Sequence, residues 1–183
     1  MRSIAIAVSA VLTASVLAGC SSPSTGEPNH PVSTTTGQQA PGAEKSAGPQ
    51  TAEQVTTALI KAVPSVRTLV VYNETTDPNH AMGRPHQYVS KTAFADSRIN
   101  RAEAKKDDRG RSDAIAYGGT VEVFANEADA KAWADNIDRL SQAVGGLITP
   151  DYLYRSGQYV IRASSHLIPT QARQYQAVLT KLV

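Results

Sequence analysis

A stretch of thirty residues near the start of the chain limits where a core can form. Residues 21–50 contain one larger aliphatic side chain, Val32, and consist mostly of Ser, Thr, Pro, Gly, Ala and Gln. Such a segment buries too little apolar surface to offset the entropy of ordering it, which costs about 1 to 2 kcal/mol per residue for the backbone alone. We therefore expect a disordered tether over residues 21–50 and a folded domain over residues 51–183.

The segment before the tether has the features of an export signal. Arg2 precedes an apolar stretch, residues 4–17, which is shorter than the roughly 20 apolar residues of a permanent membrane span. Leu17, Ala18, Gly19 and Cys20 come next, and this pattern resembles the lipobox of bacterial lipoproteins. The resemblance covers residues 1–20. It implies a signal peptide over residues 1–19, cleavage between Gly19 and Cys20, transfer of a diacylglyceryl group to the Cys20 thiol, and acylation of its new amine by a fatty acid such as palmitate.

The cysteine content agrees with this interpretation. Cys20 is the only cysteine of the chain, so no disulfide can form within it, and lipidation accounts for a thiol that would otherwise stand free in an exported protein. Two acyl chains give stable attachment where one binds only marginally. The alternative is an ordinary secretion signal that is cut elsewhere. We expect a lipid-anchored protein on the extracytoplasmic face of the cell membrane.

The length of the segment after the tether and the net charge of the chain limit the number of domains and the classes of partner. Residues 51–183 are enough for one domain, since domains commonly contain about 100 to 150 residues. The formal net charge of +2 becomes +1 once the signal with Arg2 is removed. This near neutrality argues against nucleic acid as a partner. The oligomeric state is left open.

Local signals predict three helices in this domain. Thr51 with Gln54 forms a capping box before an apolar stripe that ends at Pro64. Asn126 caps a second helix, whose buried stripe runs to Val144 and which Gly145–Gly146 end, and Pro169 opens the last helix.

Apolar and alternating runs predict five strands around these helices. The predicted strands cover residues 69–72, 87–95, 119–124, 152–154 and 159–161, the last two joined by a tight turn at Ser156–Gly157. The charged segment 96–113 is predicted to be an exposed loop. The order α-β-β-β-α-β-β-α predicts the α+β class, with an antiparallel sheet of about five strands covered on one face by helices.

The densest polar cluster, residues 77–86, offers candidate metal ligands. Asp77, His80 and His86 could converge on a divalent ion or act as acid and base, because neutral imidazole binds such ions and titrates near neutral pH. Their spacing matches no known ligand pattern. A turn in which Asp77 bonds nearby backbone groups is the favoured interpretation.

Other candidates concern binding. Arg84 lies in the same polar cluster, and Tyr152 with Tyr154 could form a contact surface at the hairpin, although alternation favours a place in the core for these tyrosines. Neither a P-loop nor a dinucleotide-binding glycine pattern occurs, so no cofactor is predicted, and no nucleophile elbow indicates a catalytic serine.

A second resemblance covers most of residues 67–182. The segments that carry it are 77–79 (DPN), 83–85 (GRP), 87–98 (QYVSKTAFADSR), 118–137 (GGTVEVFANEADAKAWADNI) and 169–179 (PTQARQYQAVL). In this order they resemble small, uncharacterised lipoproteins of actinobacteria and their phages. The resemblance implies a place in the envelope and brings no established activity.

These observations favour a non-enzymatic surface lipoprotein that binds a protein or another envelope component. One alternative is a phage or prophage lipoprotein that excludes superinfecting phage. A second alternative is a small metal-dependent enzyme that uses the 77–86 segment.

Overall fold

A computed structural model of the chain describes residues 50–143 and 149–183. These residues belong to one unit, which extends over Glu44–Val183. Cys20 with its lipobox, the tether before Gln50, and the predicted helix end at Val144 and Gly145–Gly146 lie outside the described residues.

The described residues form one sheet with helices between its strands. The elements are α1 Ala52–Ala62, β1 Val66–Val71, β2 Tyr88–Asp96, α2 Arg101–Ala104, a 3-10 turn Ile115–Tyr117, β3 Gly118–Phe124, α3 Glu127–Ala143, β4 Tyr152–Ser156, β5 Tyr159–Ala163 and α4 Pro169–Leu179. The α+β class and the five antiparallel strands are confirmed. The exposed loop predicted over residues 96–113 is corrected in part, since α2 forms within it behind the N-cap Asn100.

Side chains cap the starts of α1 and α3. At α1 the Thr51 hydroxyl accepts from the Gln54 N–H at 3.3 Å, and the Gln54 side chain accepts from the Thr51 N–H at 2.8 Å. At α3 the Asn126 side chain accepts from the Asp129 N–H at 2.9 Å. The two predicted caps are therefore present.

The strand order in the sheet is β1-β2-β3-β5-β4, and every neighbouring pair is antiparallel. Strands β4 and β5 form the predicted hairpin, but Ser156 pairs with Tyr159, so the two-residue turn is Gly157–Gln158. The turn therefore lies one residue later than predicted. Gly157 has a φ of +53° there, a conformation that favours glycine.

Helices α1 and α4 pack on one face of the sheet and bury a continuous apolar core. Its largest fully buried members are Leu59, Phe94, Ile161, Tyr175 and Leu179. The rings of Phe94 and Tyr175 lie 5.3 Å apart. Gly119 lies against the Phe94 ring and the Arg162 carbonyl, and a Cβ at this position would collide with both.

Helix α3 lies on the opposite face, so the prediction that helices cover one face is wrong in this respect. Strand residues alternate between faces, and Val160 packs in a second cluster with Tyr88, Phe124 and Ala130 while its neighbour Ile161 packs in the first. Trp133 of α3 contacts this second cluster, and its ring lies 5.5 Å from that of Tyr88. The second cluster is small and covers only part of its face.

Candidate functional site

The uncovered part of the α3 face forms a cleft of about 1070 Å³. Its floor is made of strand residues, and its walls come from the C-terminal half of α3, from residues 106–116, and from residues 149–151 and 165–166. Ligand pockets in proteins commonly measure about 300 to 1000 Å³, so this cleft has room for a ligand of several rings.

Lys91 is the buried cation at one end of the floor. Its side chain is 4% exposed, and its Nζ lies 3.2 Å from Asp77 Oδ1 and 3.6 Å from Glu122 Oε1. The Tyr88 ring lies beneath it, with Nζ 4.8 Å from the ring centroid. One ammonium thus faces two buried carboxylates and an aromatic ring, a combination that fixes its position.

Asp77 holds the segment before β2 against this lysine. Its carboxylate accepts from the Tyr88 hydroxyl at 2.6 Å and from the backbone N–H groups of Ala81 and Met82 at 2.9 and 3.2 Å. Burial opposes its ionisation, but these hydrogen bonds and the Lys91 charge outweigh burial and hold the pKa of Asp77 well below its ordinary value.

Three buried polar atoms on the cleft floor have no hydrogen-bond partner among the described residues. They are Thr120 Oγ1, Glu122 Oε1 and Arg162 Nε, and the fourth such atom, Ser65 Oγ, precedes β1. Thr120 pairs directly with Arg162 across β3 and β5, and Glu122 lies two positions along β3, about 7 Å away on the same face. The other oxygen of Glu122 accepts from Trp133 Nε1 at 2.8 Å.

Arg162 is tied to the wall by an ion pair. Its Nη2 donates to Asp151 Oδ2 at 3.0 Å, and Nε of the guanidinium has no partner in the part of the chain that the structure describes. Burial raises the pKa of Asp151, and the neighbouring Arg162 charge opposes that rise. The guanidinium is thus held in place by Asp151 and retains Nε as an unused donor.

The charged segment that the sequence predicted to be a solvated loop supplies a wall of the cleft. His166 Nε2 lies 2.9 Å from Asp107 Oδ2, Arg111 Nε donates to Asp113 at 3.0 Å, and the Tyr72 hydroxyl donates to the same carboxylate at 2.7 Å. Burial and the bond to Asp113 raise the pKa of the Tyr72 hydroxyl. These contacts fasten the segment to β1 and to the start of α4.

Comparison of the chain with protein-family models, curated proteins and solved structures found no match. The assignment of the cleft therefore rests on its own geometry.

The metal candidates Asp77, His80 and His86 do not form a common site. Asp77 is fully buried and engaged as described above, whereas His80 is exposed and His86 pairs with Asp129 at 2.8 Å. The hydrogen bond from His86 lowers the pKa of Asp129. Within residues 50–143 and 149–183, no group of three or more His, Cys, Asp or Glu side chains is arranged to hold a metal ion. The turn predicted around Asp77 is confirmed by its backbone hydrogen bonds.

The binding candidates Arg84, Tyr152 and Tyr154 lie elsewhere. Arg84 is exposed in the loop before β2. Tyr152 and Tyr154 pack against the core beneath α4, with their rings 6.4 Å apart and nearly parallel, which confirms the core interpretation. Across the part of the chain that the structure describes, no helix has the length and hydropathy of a membrane span.

The floor residues were not singled out from the sequence. Alternation in β3 does place Thr120 and Glu122 on the face opposite Val121 and Val123, but an exposed sheet face would show the same pattern. The informative signal is Lys91 within a strand otherwise rich in apolar residues, because a buried lysine requires carboxylates nearby. Its partners become evident only from the pairing of Lys91 with Glu122 across β2 and β3.

Proposed function

We propose that the chain is a lipid-anchored lipoprotein of the cell envelope whose domain binds a small polar ligand in the cleft, without catalysing a reaction on it. The anchor is inferred from the lipobox ending in Cys20 and from the tether composition. The binding role is inferred from the cleft.

The observation that carries the binding role is the set of unpartnered atoms on the floor. A buried polar group without a partner costs about 1 to 3 kcal/mol, and folded proteins satisfy nearly all such groups. Thr120, Glu122 and Arg162, which all line the cleft, leave three such atoms without a hydrogen bond among the described residues, and Glu122 Oε1 has only the Lys91 ammonium at 3.6 Å beside it. A ligand that hydrogen-bonds to these atoms offsets that cost.

Binding can be tested by ligand-induced stabilisation of the full chain, because a ligand that binds only the folded state raises its unfolding temperature. The panel contains saccharides, amino acids, phosphate esters, nucleosides and fatty acids. We expect stabilisation by at least one polar class and its loss in Thr120→Val. Thr68→Val, the same change at an exposed position of β1, is the matched control. Absence of any polar ligand, or equal stabilisation of Thr120→Val, would contradict the proposal.

Anchoring can be tested separately by metabolic labelling with a fatty-acid analogue. We expect label on the wild-type chain and on Ser21→Ala, and none on Cys20→Ala, because the acyl groups depend on that thiol. Label that persists in Cys20→Ala would place the lipid elsewhere and refute the lipobox assignment.

A further inference from the structure

We infer that the ligand of the cleft is a neutral polyhydroxylated molecule, a saccharide, and this inference rests on the proposed binding role. Three properties of the cleft carry it: the balance of its charges, the spacing of its unpartnered atoms, and the apolar patches beside them.

The charges of the cleft are balanced and mostly paired. Five Lys or Arg side chains, one histidine and six carboxylates line it. The paired groups are Lys91 with Glu122, Arg111 with Asp113, Arg162 with Asp151 and His166 with Asp107. The lining groups without an ion pair among the described residues are Asp108, Arg109 and Asp138, which are exposed or half-buried. On the buried floor a ligand with a net charge would lose its hydration without gaining a free counter-charge, which is unfavourable. The cleft therefore favours a ligand without net charge.

The unpartnered atoms require a ligand that donates and accepts hydrogen bonds at short intervals. Glu122 Oε1 can only accept, Arg162 Nε can only donate, and the Thr120 hydroxyl can do both. Thr120 lies directly opposite Arg162 and two strand positions from Glu122, so the Cα atoms of Arg162 and Glu122 both lie within about 7 Å of that of Thr120. Each hydroxyl of a sugar is both a donor and an acceptor, so one polyhydroxylated molecule can offer a partner to each of these three atoms.

Apolar side chains lie beside these polar atoms. Leu153 of β4 and Ile137 of α3 line the cleft, as do Ile115 and Pro150 on its other walls. They provide small apolar surfaces of the kind that cover the C–H face of a sugar ring. They come from four separate segments of the chain, and many charged side chains line the same cleft, so the lining favours a polar ligand over an acyl chain.

The inference can be tested by titration calorimetry of the full chain, kept in a detergent without a sugar headgroup. The ligands are neutral oligosaccharides, amino acids and phosphate esters. We expect binding of neutral oligosaccharides with an affinity that hardly changes with salt, because no net charge is neutralised. Thr120→Val should weaken binding about tenfold, as expected for one lost hydrogen bond to a buried group. Thr68→Val should leave it unchanged.

Two further variants keep the test decisive if Thr120→Val unfolds. Arg162→Lys retains a positive charge beside Asp151 and removes the Nε donor, so it should weaken saccharide binding. Glu122→Gln retains an accepting oxygen and should weaken it less than Arg162→Lys does. Binding of amino acids or phosphate esters alone would overturn the saccharide inference and leave the proposed binding role intact. Failure of every class would overturn both.

Discussion

The two faces of the sheet are built from the same strands and differ in whether their buried polar groups are hydrogen-bonded to each other. On the face beneath α1 and α4 the polar groups pair with each other: the hydroxyls of Thr56 and Thr92 lie 2.6 Å apart, and Asp96 accepts from Arg98 and from Tyr175. On the face beneath α3, Thr120, Glu122 and Arg162 keep atoms that have no hydrogen-bond partner within residues 50–143 and 149–183.

One face of the sheet therefore contributes mainly to stability, and the other face carries the proposed binding site. The face beneath α1 and α4 buries large apolar side chains and carries most of the core, whereas the α3 face holds a smaller apolar cluster beside the cleft. Because successive residues of a strand point to opposite faces, a change at one position can affect one face and leave the other intact. The following predictions test that separation, from the largest expected effect to the smallest.

The largest effect is expected for Phe94→Ala on the α1 and α4 face. Phe94 is fully buried, and its removal should lower the free energy of unfolding by about 4 kcal/mol through lost burial and the cavity left behind. Denaturant unfolding measures this value. The control Leu140→Ala removes a side chain that is 57% exposed and should change stability by less than about 0.5 kcal/mol. A loss of less than about 1 kcal/mol in the free energy of unfolding of Phe94→Ala would contradict the burial of Phe94 in the core beneath α1 and α4.

Asp77→Ala tests the buried charges at the edge of the cleft. The change removes the acceptor for Tyr88 and one of the two carboxylates beside Lys91, so we expect a loss of about 3 kcal/mol in the free energy of unfolding. Asp135→Ala breaks an exposed ion pair with Lys131 on α3 and should cost about 0.5 kcal/mol or less. Equal effects of the two variants would show that Asp77 is not buried as described.

Each face also has a buried tyrosine that donates to a buried carboxylate. Tyr88 donates to Asp77 on the cleft side, and Tyr175 donates to Asp96 on the α4 side. Burial opposes ionisation of both carboxyls, but their donors outweigh it, and the pKa of each is lowered. The stability that these groups contribute is therefore present above the ordinary pKa of about 3.9 and is lost as pH falls toward the folded-state pKa.

Tyr88→Phe and Tyr175→Phe should each reduce this pH dependence. Removing one donor moves the folded-state pKa of its carboxyl back toward the ordinary value, so stability should fall less between pH 7 and low pH than in the wild type. At neutral pH each variant should lose about 1 to 2 kcal/mol. Denaturant unfolding across this pH range measures both quantities. An unchanged pH dependence in either variant would refute the role of its hydroxyl.

The smallest effect is a gain of stability on the face covered by α1 and α4. Ile168 precedes α4 in an extended conformation, is 58% exposed, and its side chain makes no capping hydrogen bond. Ile168→Ser should supply that cap and raise the free energy of unfolding by about 0.5 to 1 kcal/mol. Ile168→Ala lacks a capping oxygen and serves as the control in thermal unfolding. A serine variant no more stable than the alanine variant would contradict the prediction.

Local signals predicted the elements of the fold because capping and alternation act over a few residues. Thr51 with Gln54, Asn126, and the run 119–124 each fix a boundary or a face without reference to distant residues. Helix α2 was missed because its four residues lie in a charged segment and are too short to show an apolar stripe. The sheet face on which α3 packs was also not predicted. The apolar stripe of α3 shows that the helix is buried on one side, but it does not show against which face of the sheet.

The candidate site could not be predicted for a related reason. Its floor joins Lys91, Glu122 and Arg162 from three strands that are separated in sequence by long connections. Each residue alone is compatible with an exposed strand position. The cleft exists only because α3 covers part of that face, and this depends on the packing of the whole domain.

The position of β5 in the sheet has a consequence for how the domain folds. Strand β5 pairs with β3 only after the chain has passed through α3 and β4, so this pairing closes the longest loop between neighbouring strands of the sheet. Closing a longer loop costs more entropy, and such contacts slow folding. The register that sets Thr120 opposite Arg162 belongs to this pairing. We therefore expect the floor of the cleft to form at the slowest step of sheet assembly.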